Sequence, residues 1–344
     1  MIQARNEGII LERTNLEFES QAVLNPGCIE KDGLVHMFYR AVRTGNFSTI
    51  GYCQLKDNKV VYRAKSPILF PEHEYEKHGL EDPRIVLLEG TYYLFYTAYD
   101  GQNSMAAYAT SKDLIIFKKQ GLISSKIAYG QAKNFFDNLR LKKKYLEFEL
   151  FFEKSKGLDV LLWQKDTFIF PKKINNRYLL VLRVLPSIQV IYFDNFTQLN
   201  DSFWIEYFHE IGGYVMLDPE YAFESYNIGG GCPPIETPQG WLFIYHAVEH
   251  TDHGNVYHAA AALLDIDQPL KVLGRLPYPL FSPMESWELK GDVNNVVFPT
   301  GAIIKDDRLY VYYGAADKVI AAKSFDLDEL LIELKSNPPQ IKAK

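Results

Sequence analysis

The chain has 344 residues, is 14% aromatic, and carries 43 acidic against 37 basic residues, a formal net charge of −6. Without a basic run or a patterned basic helix, nucleic acid is excluded as a partner, and without a stretch near the ~20 apolar residues of a membrane span, so is a helical membrane protein. Three cysteines (Cys28, Cys53 and Cys232) with no C-x-x-C pair argue against a disulfide framework and a structural zinc site; they fit a reducing compartment, the cytoplasm, or the periplasm if a signal peptide has been removed.

From the N-terminus onward one phrase recurs: a turn-rich entry, a strand, a tight polar turn, and a return strand ending in aromatics. The first copy enters at 25–29, turns at Asp32-Gly33 and returns over 35–40. The second enters at Glu81-Asp82-Pro83-Arg84-Ile85, turns at Glu89-Gly90 and returns over 92–97. The third enters at Lys165-Asp166, turns at Asn175-Asn176 and returns over 178–183. The fourth enters at Gly229-Gly230-Gly231, turns at Gln239-Gly240 and returns over 241–246. The fifth enters at 294–298, turns at Asp306-Asp307 and returns over 309–314. Such turn pairs tolerate positive φ and so mark hairpins. A third strand follows, as at 50–54 and 105–109.

Repeated blades of about four strands around a channel make a β-propeller. The expected architecture is therefore all-β: a single five-bladed propeller domain over 1–344, with a β-sandwich of unequal loops as the alternative. Residues 135–162, with Lys142-Lys143-Lys144, interrupt the repeat between blades two and three as a hairpin or a helix. The stretch 324–334 reads as a short C-terminal helix, capped by Ser324, with Leu327, Leu331 and Leu334 on one face.

In a propeller, blade entries and return-strand ends meet at one mouth of the channel, and hairpin turns at the other. That sorts Asn25, Arg40, Arg43, Glu81, Asp82, Arg84, Asp100, Lys165, Asp166, Arg183, His246, Glu249, Asn294 and Asp317 to one mouth. Glu89, Glu236 and Asp306 go to the far turns. A concave site with many ionisable groups is the default candidate active site. No spacing points to a metal; His250, Asp252 and His253 read as a loop. Gly229-Gly230-Gly231 is no dinucleotide fingerprint, since no helix follows it, and instead suits close packing near the axis.

At these residues the chain resembles glycoside hydrolase family 130, the mannoside phosphorylases and β-1,2-mannosidases. The matching motifs are Asn25-Pro26, Glu81-Asp82-Pro83-Arg84-Ile85, Tyr96-Thr97-Ala98-Tyr99-Asp100, Lys165-Asp166 to Phe170-Pro171, and Arg183. They continue with Ile228-Gly229-Gly230-Gly231, Pro233-Pro234-Ile235, Gly240-Trp241 to Tyr245-His246, Val296-Val297-Phe298-Pro299-Thr300-Gly301, and Tyr312-Tyr313-Gly314-Ala315-Ala316-Asp317. The resemblance implies a five-bladed propeller, a β-mannoside oligosaccharide as substrate, inversion at the anomeric carbon, and Asp82 as general acid, its proton relayed through a mannose hydroxyl. It further implies Asp166 and Asp317 as acceptors for sugar hydroxyls and Arg84 as a residue orienting Asp82.

No cofactor is expected; inorganic phosphate enters as co-substrate if the enzyme is a phosphorylase. Phosphorolysis needs a cationic cradle, for which Arg40, Arg43, Lys165, Arg183 and His246 are candidates. Hydrolysis needs a carboxylate base, for which Glu249, Glu285 and Glu288 are candidates. Here Tyr245-His246 is followed by Ala247-Val248-Glu249, where the family's phosphorylases usually have glycine and an uncharged stretch. A carboxylate there repels phosphate and suits a base, so the sequence favours hydrolysis of β-mannosidic, in particular β-1,2, linkages. Phosphorolysis to mannose 1-phosphate is the alternative, and a non-catalytic glycan-binding propeller the third reading. The oligomeric state stays open.

Overall fold

Hairpin turns fall where the paired Asx and Gly residues stand. Asp32-Gly33, Glu89-Gly90, Asn175-Asn176 and Asp306-Asp307 all have positive φ at both positions, the backbone of a type I′ turn that continues the twist of the flanking strands. The structure, a computed structural model, describes residues 2–136 and 143–339, so Lys142 of the basic stretch lies outside the described residues.

The strands form five blades, and the N-terminal strand β1 (Arg5–Leu11) belongs to the last of them. Blade one is β2 (Ala22–Lys31), β3 (Leu34–Arg43), β4 (Phe47–Lys56) and β5 (Lys59–Arg63). Blade two is β6 (Gly79–Leu88), β7 (Thr91–Tyr99), β8 (Ser104–Ser111) and β9 (Lys118–Leu122). Blade three is β10 (Lys165–Ile169), β11 (Tyr178–Val184), β12 (Ser187–Phe193) and β13 (Val215–Leu217). Blade four splits its inner strand into β14 (Asn227–Gly230) and β15 (Ile235–Thr237), followed by β16 (Gly240–Thr251), β17 (Gly254–Leu264) and β18 (Val272–Arg275). Blade five is β19 (Val297–Lys305), β20 (Arg308–Ala315) and β21 (Val319–Asp326), with β1 antiparallel to β21 as its outer strand. The two ends of the ring thus share one sheet, which closes it by hydrogen bonds between β1 and β21.

Among the described residues five α-helices accompany the blades: α1 (Tyr129–Phe136), α2 (Lys143–Lys156), α3 (Asp201–His209), α4 (Ser286–Leu289) and α5 (Leu327–Ser336). The interruption between blades two and three is helical, being α1 and α2. The C-terminal helix begins later than the sequence suggests. Its cap is Asp326, whose side chain accepts from the Glu329 N–H; Ser324 lies in β21 and donates to Glu7. The buried face is Leu330, Leu331 and Leu334.

One buried triad recurs in four blades. Glu19, Glu76, Glu224 and Glu288 are each 0% exposed. Each accepts the hydroxyl of a return-strand tyrosine: Tyr39, Tyr96, Tyr245 and Tyr313 respectively. Each also pairs with a cation from a later strand of its blade: Arg63 at 2.9 Å, Lys119 at 2.6 Å, Arg275 at 2.6 Å and Lys323 at 2.9 Å. Glu76, Glu224 and Glu288 further accept two backbone N–H groups apiece from the turn they cap. A carboxylate with all its lone pairs used can stay charged in a core. Blade three departs from this pattern: Leu182 stands at the tyrosine position, and the insertion helix α2 brings in the buried Tyr145, which Gln189 contacts at 3.1 Å.

Glu224→Ala should leave Arg275 and Tyr245 without their carboxylate and cost about 3–5 kcal/mol. Chemical denaturation of the variant measures this. A loss below about 1 kcal/mol would mean that the triad is not a stabilising unit.

Candidate active site

Three inner strands carry the same irregularity. In β2 the register slips between Leu24 and Gly27, in β6 between Glu81 and Arg84, and in β10 between Lys165 and Phe168. In each, one extra residue is inserted opposite the return strand, which is a β-bulge. The bulged residues Asn25, Asp82 and Asp166 have φ of 50°, 53° and 55°. Only glycine and, at some cost, Asn and Asp visit this left-handed region readily, and such residues cluster where function holds them. Asp317, φ 52°, occupies the turn between β20 and β21.

The bulges bring these side chains together. Asn25 Nδ2 donates to Asp82 Oδ1 at 2.8 Å, and Arg40 NH1 lies 3.8 Å from the same oxygen. Arg84, 1% exposed, donates to the Asp82 backbone carbonyl at 2.8 Å and pairs with Asp166 at 3.0 Å. It thus fixes the bulge of Asp82, not its carboxylate. Arg183 Nε pairs with Asp166 Oδ2 at 3.0 Å, and its NH1 stands 3.2 Å from His246 Nε2. Glu81 binds Arg40 at 2.9 Å and Lys165 at 3.2 Å. A Cβ at Gly229 would collide with His246 and Asp166, so glycine there allows the close packing expected of the Gly229-Gly230-Gly231 run.

Burial opposes ionisation of Glu81 and Asp166, but the cations win. Arg40 and Lys165 hold Glu81 below its usual range; Arg183, Arg84 and Lys165 do the same for Asp166. Burial drives His246 down to about 3, Arg183 and Arg84 adding to it against the pull of Asp166, so the imidazole is neutral. Burial also raises Asp317 to about 6, with Asp82, Asp292 and Glu81 adding and Arg40 opposing. Arg40 and Asp317 line a cavity of about 340 Å³ together with Gln21, Leu24, Asn46 and Asp292, a size that takes a small ligand.

Not every expected residue joins. Arg43 turns outward to Glu17 and the Phe47 ring. Asp100 accepts from the Gln102 and Asn103 N–H groups as a turn former. Tyr245 and Glu288 belong to the buried triads. Glu285 caps α4 and accepts from Asn6 at 2.8 Å. Glu249 lies three residues beyond His246 on β16, so it points to the opposite face of the strand. There it meets His258 at 3.2 Å.

Two aromatic residues join the site without having been assigned a role from sequence. The Phe298 ring lies 4.5 Å from that of His246 and carries Arg84 at 5.7 Å. Tyr257, 6.3 Å from His246, comes from the third strand of its blade, beyond the entries and return strands on which the site was sought.

The family model described as β-1,4-mannooligosaccharide phosphorylase, glycoside hydrolase family 130, matches residues 3–336. A 1,2-β-oligomannan phosphorylase of Thermoanaerobacter sp. is 32% identical over 333 residues, covering 94% of this chain and 96% of that protein. The β-1,2-mannobiose phosphorylase of Listeria innocua, solved with β-1,2-mannobiose, has a similar fold, with TM-score 0.68, 23% identity and coverage of 92% and 93%. So does a structure from work on family 130 glycoside hydrolases that target β-1,2 mannosidic linkages in Candida mannan, with TM-score 0.73, 23% identity and coverage of 95% and 94%.

Asp317 gives the fold a pH signature. A carboxyl raised in the folded state contributes its full stability below its unfolded value, near 4, and loses it as pH rises through about 6. Wild type should therefore gain stability relative to Asp317→Asn on going from pH 7.5 to pH 4.5. Paired thermal melts at the two pH values test this; a constant gap refutes it.

Proposed function

The chain belongs to glycoside hydrolase family 130, and we propose that it is an inverting β-mannoside phosphorylase acting on β-1,2-linked manno-oligosaccharides. The observation that carries this reading is the arginine-rich set of cations at the site. Four cations, Arg40, Arg84, Lys165 and Arg183, share two carboxylates, Glu81 and Asp166. Arg40 also faces the carboxyls of Asp82 and Asp317, so the four cations stand among four carboxyl groups, and His246 is neutral. Phosphate brings nearly two negative charges at neutral pH and favours arginine-rich donor sets.

Water as acceptor, the reading that Glu249 suggested, has weaker support. Hydrolysis with inversion needs a carboxylate facing the acid across the sugar. Glu249, Glu285 and Glu288 each serve a partner outside the cluster. The relatives' names also favour phosphate: the Thermoanaerobacter and Listeria proteins are phosphorylases of β-1,2-linked mannosides.

In this mechanism the terminal mannosyl unit lies in the cavity between Arg40 and Asp317, where the Asp317 carboxylate accepts sugar hydroxyls. Arg183, Lys165 and Arg40 hold phosphate. A phosphate oxygen forms the bond to C1 as the C1–O bond to the leaving sugar breaks, and the leaving oxygen takes its proton from Asp82 through a mannose hydroxyl. Inversion of a β-mannoside gives α-mannose 1-phosphate and a chain shorter by one unit. Asn25 aligns the Asp82 carboxyl, and Arg84 secures the backbone beneath it.

Incubation of β-1,2-mannobiose with and without phosphate tests the reading. Mannose 1-phosphate should form only with phosphate, and free mannose should appear in equal amount as the leaving sugar. Asp82→Asn should lower turnover about 10²–10⁴-fold while the fold is kept. Phosphate-independent release of two mannose molecules per mannobiose would establish hydrolysis instead.

A further inference from the structure

A second concave surface lies beside the site and has no part in the mechanism above. It is a groove of about 400 Å³ lined by Glu147, Phe148 and Phe151 of α2 with Tyr226, His250 and Asn255 of blade four. Phe151 is 54% exposed. Phe148 meets the Tyr226 ring edge-on at 5.0 Å, and Tyr226 lies 5.9 Å from His250. His250 Nδ1 and Asn255 Oδ1 are 2.9 Å apart. Exposed aromatic surface with a few polar groups around it marks a ligand groove more often than an idle face.

Strand geometry joins this groove to the candidate active site. His250 follows His246 on β16 by four residues, so both side chains stand on one face, about 14 Å apart along the strand. The partner strand β17 offers Tyr257 beside His246 and Asn255 opposite His250. A chain leaving the cleavage site along this face passes Tyr257 and reaches the aromatic groove within a few sugar units.

We propose that this groove is a distal subsite for the remaining mannosyl units of an oligomeric substrate, built by the helical insertion against blade four. It rests on the reading of the enzyme as a β-mannoside phosphorylase. Phe151 and Tyr226 present apolar ring faces to the C–H faces of the sugar, with Phe148 buried against Tyr226, and His250, Asn255 and Glu147 offer hydrogen bonds to its hydroxyls. Binding energy gained at such a distance promotes turnover of long chains over short ones.

The test compares phosphorolysis of β-1,2-mannobiose and β-1,2-mannotetraose by wild type, Phe151→Ala and His250→Ala. Wild type should favour the tetraose in kcat/KM by roughly tenfold or more, and each variant should lose most of that ratio. Equal kcat/KM on the two substrates in wild type, or an equal loss on both in the variants, overturns the subsite while leaving the phosphorylase reading intact. If phosphate supports no cleavage, that reading fails, and calorimetric binding of mannotetraose to the same proteins decides the subsite alone. Weaker binding in Phe151→Ala upholds it, and unchanged binding overturns it.

Discussion

The site depends on one backbone constraint: a bulge in each of three inner strands that holds Asn25, Asp82 and Asp166 in the left-handed region. A regular strand would send alternate side chains into the faces between blades. The extra residue breaks that alternation and gathers the three side chains into one cluster. Arg84 secures the arrangement from below. Its guanidinium binds the Asp82 carbonyl, the Asp166 carboxylate and the Gly231 carbonyl, so one buried cation ties together parts of blades two, three and four. Strain at the bulges is thus offset by hydrogen bonds that exist only when all three blades are in place.

Around this centre the scaffold is held by the repeated glutamate, tyrosine and cation triad. The tyrosine of the triad and the residue after it point to opposite faces of the return strand. Burying Tyr39 and Tyr245 in their triads therefore aims Arg40 and His246 toward the channel. Blade three, which has Leu182 in place of the tyrosine, still presents Arg183 by the same alternation. Its triad space is supported from the insertion through Tyr145 and Gln189. The insertion is thus structural at its root and exposed at Phe151.

Much of this was legible in the sequence because it follows from short-range rules. Asx and Gly pairs gave the hairpins, period-2 apolar runs gave the strands, and the repeat gave five blades. Asn25, Arg40, Asp82, Arg84, Lys165, Asp166, Arg183, His246 and Asp317 were gathered at one mouth by chain direction alone, and the structure brings them together. What was illegible needs side-chain direction or long-range pairing. Glu249 has the right position along the strand but the wrong face. Glu288 looks like a free acid until its capped turn, Tyr313 and Lys323 are seen around it. The triads do leave a trace, a glutamate 20 or 21 residues before the tyrosine in three blades and 25 in the fourth, but only known pairing tells it from chance. The closing strand β1 meets β21 from the other end of the chain, a contact that no local pattern reveals.

The choice of acceptor turns on the same strand geometry together with the state of one histidine. With His246 neutral, its Nε2 accepts from Arg183 NH1 and adds no charge of its own. Arg183 is then held on two sides, by the Asp166 carboxylate and by the imidazole, with a flexible side chain fixed in one geometry before any ligand arrives. A guanidinium held in this way loses little entropy when an anion docks on its remaining N–H groups. A protonated His246 would instead repel Arg183 and compete for Asp166. Burial keeps it from ionising, and the glycine at position 229 is what lets the ring pack that deeply against Asp166. The cationic side of the site is therefore preorganised by a neutral residue, an arrangement that suits a doubly charged oxyanion better than it suits water.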